Sequence, residues 1–283
     1  MPLEIIADAR EMRVRMEDLR RDGRKIVFVP TMGYLHQGHV SLLEEGRRRG
    51  DVLVLSIFVN PTQFGPSEDL SKYPRDMDGD LAKARGAGTD FAFTPHASTF
   101  YPPGYQTWVQ VRELSQGLCG DKRPGHFDGV ASVVAKLFHV VNPHAAIFGE
   151  KDFQQLAVIK RMVKDLDFDI EIVGMPTVRE ADGLAMSSRN AYLSPEERQQ
   201  ALTLSRALER AQALVKAGER DAGKLLEAAR AEIASAPDAR IDYLELRDPD
   251  SLHLVPTLSG PTLFAMAVFV GKTRLIDNRV LRV

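Results

Sequence analysis

Five short apolar runs alternate with amphipathic stretches of helical period through the first part of this 283-residue chain. The runs are Ile26–Val29, Val52–Val59, Phe91–Thr94, Ala145–Phe148 and Ile170–Val173, and each has strand length. Between them, Val40–Arg49, Asp76–Arg85, Gly129–Val141 and Gln154–Leu166 have helical spacing. Strand–helix alternation constrains such a chain to a Rossmann-like parallel sheet with helices on both faces, an α/β fold. The loops that follow the strands then become the place to look for ligands.

The pattern changes after about Arg179. Glu196–Ala217 and Asp221–Ala234 read as helices, and Ser194-Pro195-Glu196-Glu197 is a strong helix start. Ile241–Arg247, Thr262–Val270 and Thr273–Asp277 read as strands. The expectation is a Rossmann-like domain over 1–178 and a smaller α+β C-terminal domain over 179–283. A net charge of −2 gives no global attraction to nucleic acid or to an anionic membrane. No apolar run is long enough to span a bilayer. The acids Glu4, Asp8 and Glu11 and the lack of a signal-peptide apolar core argue against secretion. The single cysteine, Cys119, excludes an internal disulfide and fits a reducing compartment, so a cytoplasmic location is expected.

Several strand-end loops carry candidate chemistry. His36-Gln37-Gly38-His39 follows the first run and the turn Pro30–Gly33, at the start of a helix. The N–H groups and positive dipole end there suit a phosphate chain, and glycine permits close approach. Read alone, the two imidazoles could equally be surface residues or metal ligands, although no nearby acid or cysteine completes a ligand set. Asn60-Pro61-Thr62-Gln63-Phe64 follows the second run, and its amides can grip hydroxyls or a carboxylate without adding charge. Gly149-Glu150-Lys151-Asp152 follows the fourth run, and Lys151 can neutralise phosphate oxygens, with Gln155 one turn into the next helix. Met186-Ser187-Ser188-Arg189 has the donors of a phosphate clamp. Arg123-Pro124-Gly125-His126-Phe127-Asp128-Gly129-Val130 reads as a loop before a helix, either walling the site or ordering it. Gly271-Lys272-Thr273 is not a P-loop, because Met266 stands where the motif needs glycine. Two function classes are open to such a set of loops. One is a nucleotidyltransferase acting on a phosphate or hydroxyl. The other is a non-catalytic RNA-binding module, which the balanced charge disfavours.

The chain resembles the pantoate–β-alanine ligase family, within the cytidylyltransferase-like and class I synthetase-like nucleotide-binding group. The matching stretches are PTMGYLHQGHVSLL (30–43), FVNPTQF (58–64), YPRDMDGDL (73–81), RPGHFDGV (123–130), FGEKDFQQL (148–156) and PTVREADGLAMSSRNAYL (176–193). The resemblance implies that ATP and (R)-pantoate give pantoyl adenylate and pyrophosphate, and that β-alanine then displaces AMP to give pantothenate. It implies ATP contacts from Met32, Gly33, Tyr34, Leu35, His36, Gln37, Gly38, His39, Gly149, Glu150, Lys151, Asp152, Val178, Met186, Ser187, Ser188 and Arg189. Catalytic roles fall on His39, His36 and Lys151, with His39 as proton donor. Gln63, Gln155 and Asn60 would bind the acid substrate. Mg2+ would accompany ATP, with Asp80 as its protein ligand. Where some relatives have adjacent acids, this chain has Asp78-Gly79-Asp80. A homodimer is also implied.

Overall fold

The computed structural model describes residues 2–66 and 68–283. In chain order the elements are β1 (Glu4–Ile6), α1 (Ala9–Arg21), β2 (Ile26–Thr31), α2 (Gln37–Arg49), β3 (Val52–Ile57), α3 (Met77–Gly86), β4 (Phe91–Phe93), α4 (Ala97–Phe100), α5 (Leu118–Lys122), α6 (His126–Val141), β5 (Ala145–Gly149), α7 (Phe153–Asp165), β6 (Glu171–Met175), α8 (Pro195–Lys216), α9 (Ala222–Ala234), β7 (Ala239–Arg247), β8 (Thr262–Val270) and β9 (Thr273–Leu281). They form two compact units. The first comprises residues 1–115, 123–150 and 155–176, and the second 116–122, 151–154 and 177–283.

The first unit holds a six-stranded sheet in the order β1-β4-β3-β2-β5-β6, parallel throughout. The central strands are buried on both faces, which is why they read as unbroken apolar runs. Alternate residues divide between two layers. Val27, Val29, Leu53, Leu55 and Ile147 join Leu42 and Leu43 of α2 and Leu81 and Ala84 of α3 in one cluster. Phe28 and Phe148 take the opposite parity, and both rings meet Phe138 of α6 edge-on, at 6.4 and 6.5 Å. Each such fully buried side chain contributes about 1.5–3 kcal/mol relative to exposure. Strand order runs outward in both directions from β2, through β3 on one side and β5 on the other. The β2–β5 pair is therefore the switch point, where carboxyl-end loops diverge and leave a crevice.

Strand β1 was not anticipated. It is three residues long and pairs in parallel with β4 at the sheet edge, too short to leave a periodic signal. Helix α6 also begins earlier than its periodicity indicates, at His126. Gly125, with φ 79°, turns the chain into it. Gly129, which looks like a helix breaker, lies inside its first turn.

In the second unit, β7-β8-β9 form an antiparallel sheet. Its core joins Leu204, Leu208 and Ala211 of α8 and Leu225, Ala229 and Ile233 of α9 to Phe264, Met266 and Val268 of β8. Arg179 makes a two-pronged ion pair with the buried carboxylate of Asp277, at 2.7 and 2.9 Å. Among the described residues no helix is long and apolar enough to cross a membrane.

Candidate active site

The loop from Met32 to Leu35 leaves the carboxyl end of β2 and enters α2 at His36. Two of its residues sit in the left-handed region, Gly33 at φ 88° and Tyr34 at φ 53°. Tyr34 is strained there and needs an external hold. Asp80 of α3 supplies one. Its Oδ2 accepts from the Tyr34 N–H at 2.7 Å and its Oδ1 from the Leu35 N–H at 2.6 Å. Thr31 steadies the other side, accepting from Gly33 N–H while donating to the Ser56 carbonyl. A Cβ at position 33 would lie 2.9 Å from both Asp80 Oδ2 and Ile57 Cγ2, so the tight turn requires glycine.

His36 and His39 cap α2 reciprocally. The His36 Nδ1 accepts from Gly38 N–H at 3.1 Å, and the His39 Nδ1 accepts from His36 N–H at 3.2 Å. The rings lie 4.1 Å apart. A ring nitrogen that accepts an N–H carries no proton, so each neutral ring holds its proton on Nε2 and presents a donor. Two such donors stand at the positive end of the α2 dipole, beside the switch point. In the chain, β5 ends at Gly149 and a single 3-10 turn follows over Glu150–Asp152.

After β3, Asn60 is buried and caps the 3-10 turn Pro61–Gln63 through Thr62 N–H. Its Nδ2 donates to Gln63 Oε1 and to the Gly129 carbonyl, each at 3.1 Å. The Gln63 Nε2 in turn donates to Met32 Sδ at 3.1 Å, which ties this loop to the one after β2. Gln155 lies in the first turn of α7, which follows β5. Its neighbour Gln154 has a different job. It is buried, donates to the carbonyls of Gln116 and Gly117, and accepts from Cys119 N–H.

In the second unit, the Lys151 carbonyl accepts from Asn278 Nδ2 at 2.7 Å, which fixes the backbone from which the ammonium projects. Val178 carbonyl accepts from Met186 N–H, so these two residues bracket a small antiparallel loop. Ser187 caps the turn Ser188–Tyr192 by accepting from Arg189 N–H. Asn190 Nδ2 and Arg198 both donate to Glu180, bracing the same loop.

Asp80, the acid singled out for Mg2+, is bound to the backbone of the loop after β2. It is 1% exposed, and each oxygen already accepts a backbone N–H. Among the described residues no group of three His, Cys, Asp or Glu side chains could hold a metal ion. Burial pushes the Asp80 carboxyl above its ordinary value, while the Leu35 and Tyr34 N–H groups oppose that rise. Neither this strut nor the role of Asn278 is visible in the sequence, because both join segments far apart in the chain.

A doubly wound parallel sheet with paired imidazole donors and a helix N-terminus at its switch point defines a nucleotide-binding α/β protein. A family model described as pantoate-beta-alanine ligase matches residues 4–280, and the chain belongs to that family. It is an enzyme, an ATP-dependent pantoate–β-alanine ligase. A pantothenate synthetase of Desulfatibacillum aliphaticivorans is 59% identical over 279 residues, 99% of each chain. One of Trichlorobacter lovleyi is 57% identical over the same span and coverage. The crystal structure of pantothenate synthetase from Thermus thermophilus superposes with a TM-score of 0.94 at 44% identity, covering 99% of this chain and 100% of that one. A pantoate-beta-alanine ligase of Francisella tularensis, complexed with beta-gamma ATP and beta-alanine, has a TM-score of 0.82 at 31% identity, covering 98% of this chain and 97% of that one.

Proposed function

We propose that the carboxyl-end loops of β2, β3 and β5 bind ATP and (R)-pantoate and promote attack of the pantoate carboxylate on the α-phosphorus. A carboxylate oxygen bonds to that phosphorus, the α–β phosphoanhydride breaks, and pyrophosphate leaves. The amine of β-alanine then bonds to the acyl carbon and the acyl–oxygen bond breaks. AMP departs with one carboxylate oxygen, and the amine gives up a proton. This chemistry needs alignment and charge neutralisation rather than a protein nucleophile.

The observation that carries the reading is the pair of imidazoles locked to the backbone at the start of α2 through their Nδ1 atoms. They suit the phosphate oxygens, with Met32–Leu35, Gln37, Gly38, Gly149 and Glu150 completing the nucleotide contacts. Lys151, Asp152, Val178 and Met186–Arg189 of the second unit are assigned to ATP as well, Lys151 to the charge that moves onto pyrophosphate. Asn60, Gln63 and Gln155 are assigned to the acid. Mg2+ would be held mainly through the phosphates of ATP and would neutralise their charge. A cytoplasmic homodimer, divided functionally at residues 178/179, completes the proposal, and light scattering of the purified protein tests the dimer.

Mixing protein, ATP, pantoate and β-alanine tests the route. AMP and pyrophosphate are expected only when the acid is present, and oxygen-18 in its carboxylate passes into AMP. Formation of ADP would rule out the adenylate. His39→Ala and Lys151→Ala should each slow adenylation by about 100-fold or more with the melting temperature preserved. An intact rate in either removes that residue from the mechanism.

A further inference from the structure

Gln63 stands at the end of a single 3-10 turn, outside both helix and sheet, yet it is only 8% exposed. Three residues at intervals of three, Arg123, His126 and Gly129, hold it from one side. The His126 Nδ1 lies 2.8 Å from the Gln63 carbonyl, and the Arg123 Nη2 donates to the same oxygen at 3.3 Å. The Arg123 Nη1 lies 3.0 Å from His126 Nε2. Glu68 aligns Arg123 from behind, accepting Nε and Nη2 at 2.6 and 2.7 Å, and it also accepts Gly65 N–H. At the third position, the Gly129 carbonyl accepts from Asn60 Nδ2, whose other bond goes to Gln63 Oε1. A Cβ at Gly129 would fall 2.8 Å from Gln63 Cα and closer still to the Thr62 carbonyl. Only glycine lets α6 approach this turn so closely.

The donor pattern fixes the state of His126. A carbonyl can only accept, so Nδ1 carries the proton. A guanidinium can only donate, so Nε2 carries none. The buried ring is thus a neutral relay between Arg123 and the Gln63 backbone.

We infer that Arg123, His126 and Gly129 form a bracket that positions Gln63 and thereby sets the affinity of the enzyme for its acid substrate. This rests on the assignment of Gln63 to that substrate. His126 is a positioning residue and acts through Gln63.

Steady-state kinetics of variants, with pantoate and ATP varied separately, test the bracket. His126→Ala should raise the KM for pantoate about tenfold, the size of one lost buried hydrogen bond, and leave the KM for ATP unchanged. His126→Asn places an N–H near the Nδ1 position and should restore most of the affinity. His126→Gln, which mimics Nε2 instead, should not. Gln63→Ala serves as the reference. If it raises the pantoate KM while His126→Ala and His126→Gln do not, the bracket is overturned and the Gln63 assignment stands. If Gln63→Ala leaves the pantoate KM unchanged, the Gln63 assignment falls, and the bracket's purpose with it. A rise in both KM values for His126→Ala would also overturn the inference, because it would show general loosening. Independently of any variant's folding, long-range proton–nitrogen NMR of the native enzyme at neutral pH should show His126 protonated at Nδ1 only. A ring protonated at Nε2 overturns the inference.

Discussion

Asp80 shows what a single buried carboxylate can do. Its raised pKa means that the ionised form costs folding stability. Stability linked to this group is greatest below the unfolded value and is lost as pH rises through the folded one. The group is buried there because two N–H groups of the loop at Tyr34 and Leu35 need acceptors. In Asp80→Asn one of those acceptors becomes a donor facing a donor. The expected result is an ATP KM raised about tenfold or more, with the Mg2+ concentration for half-maximal rate at saturating ATP unchanged. A shifted Mg2+ requirement would instead make Asp80 a metal ligand. Glu68 has the opposite sign. Burial raises its carboxyl, but the Arg123 hydrogen bonds and charge, with Gly65 N–H, bring it below its ordinary value. Its contribution is present above the unfolded value and lost as pH falls through the folded one. Melting curves of the native protein and Glu68→Gln should therefore differ at pH 7 and converge below about pH 4.

Among the elements, helix starts decide most of what the loops present. The α8 start is a reciprocal box, with Ser194 Oγ accepting from Glu197 N–H and Glu197 accepting from Ser194 N–H. Ser194→Ala should lower unfolding stability by about 1 kcal/mol in urea titrations, with no effect on turnover. That start, with Pro195 behind it, is written locally and is legible in the sequence. The α2 start is also local, and the strand–turn–helix context points to phosphate, but the use of histidine rings as caps is not evident from residue types. The α6 start is obscured, because Gly125 and Gly129 both look like breakers. Gly125 is needed for a left-handed entry and Gly129 for close approach to residues 62 and 63. The RPGHFDGV stretch thus reads as a loop in sequence, although most of it is helix.

At the scale of the whole molecule, the two units differ in how their cores are assembled. Among the described residues, the core cluster of the second unit is built from side chains between Leu184 and Leu281. A fragment of residues 177–283 should therefore fold alone, with a cooperative urea transition by circular dichroism. A broad, non-cooperative melt would show that residues 116–122 and 151–154, which also belong to this unit, are required. By itself the sequence determined the alternation of strands and helices, the parallel sheet and the strong helix starts. Those properties follow from hydrophobic period and helix-end chemistry, which act over a few residues. Tertiary structure decided the rest: that Asp80 braces the Tyr34 loop from about 45 residues away, that His126 grips the Gln63 carbonyl, and that Asn278 fixes Lys151. Each is a bond between buried polar groups whose partners are neighbours only after the core closes. Hydrogen-bond partners carry no periodicity along the chain, so no local pattern announces them.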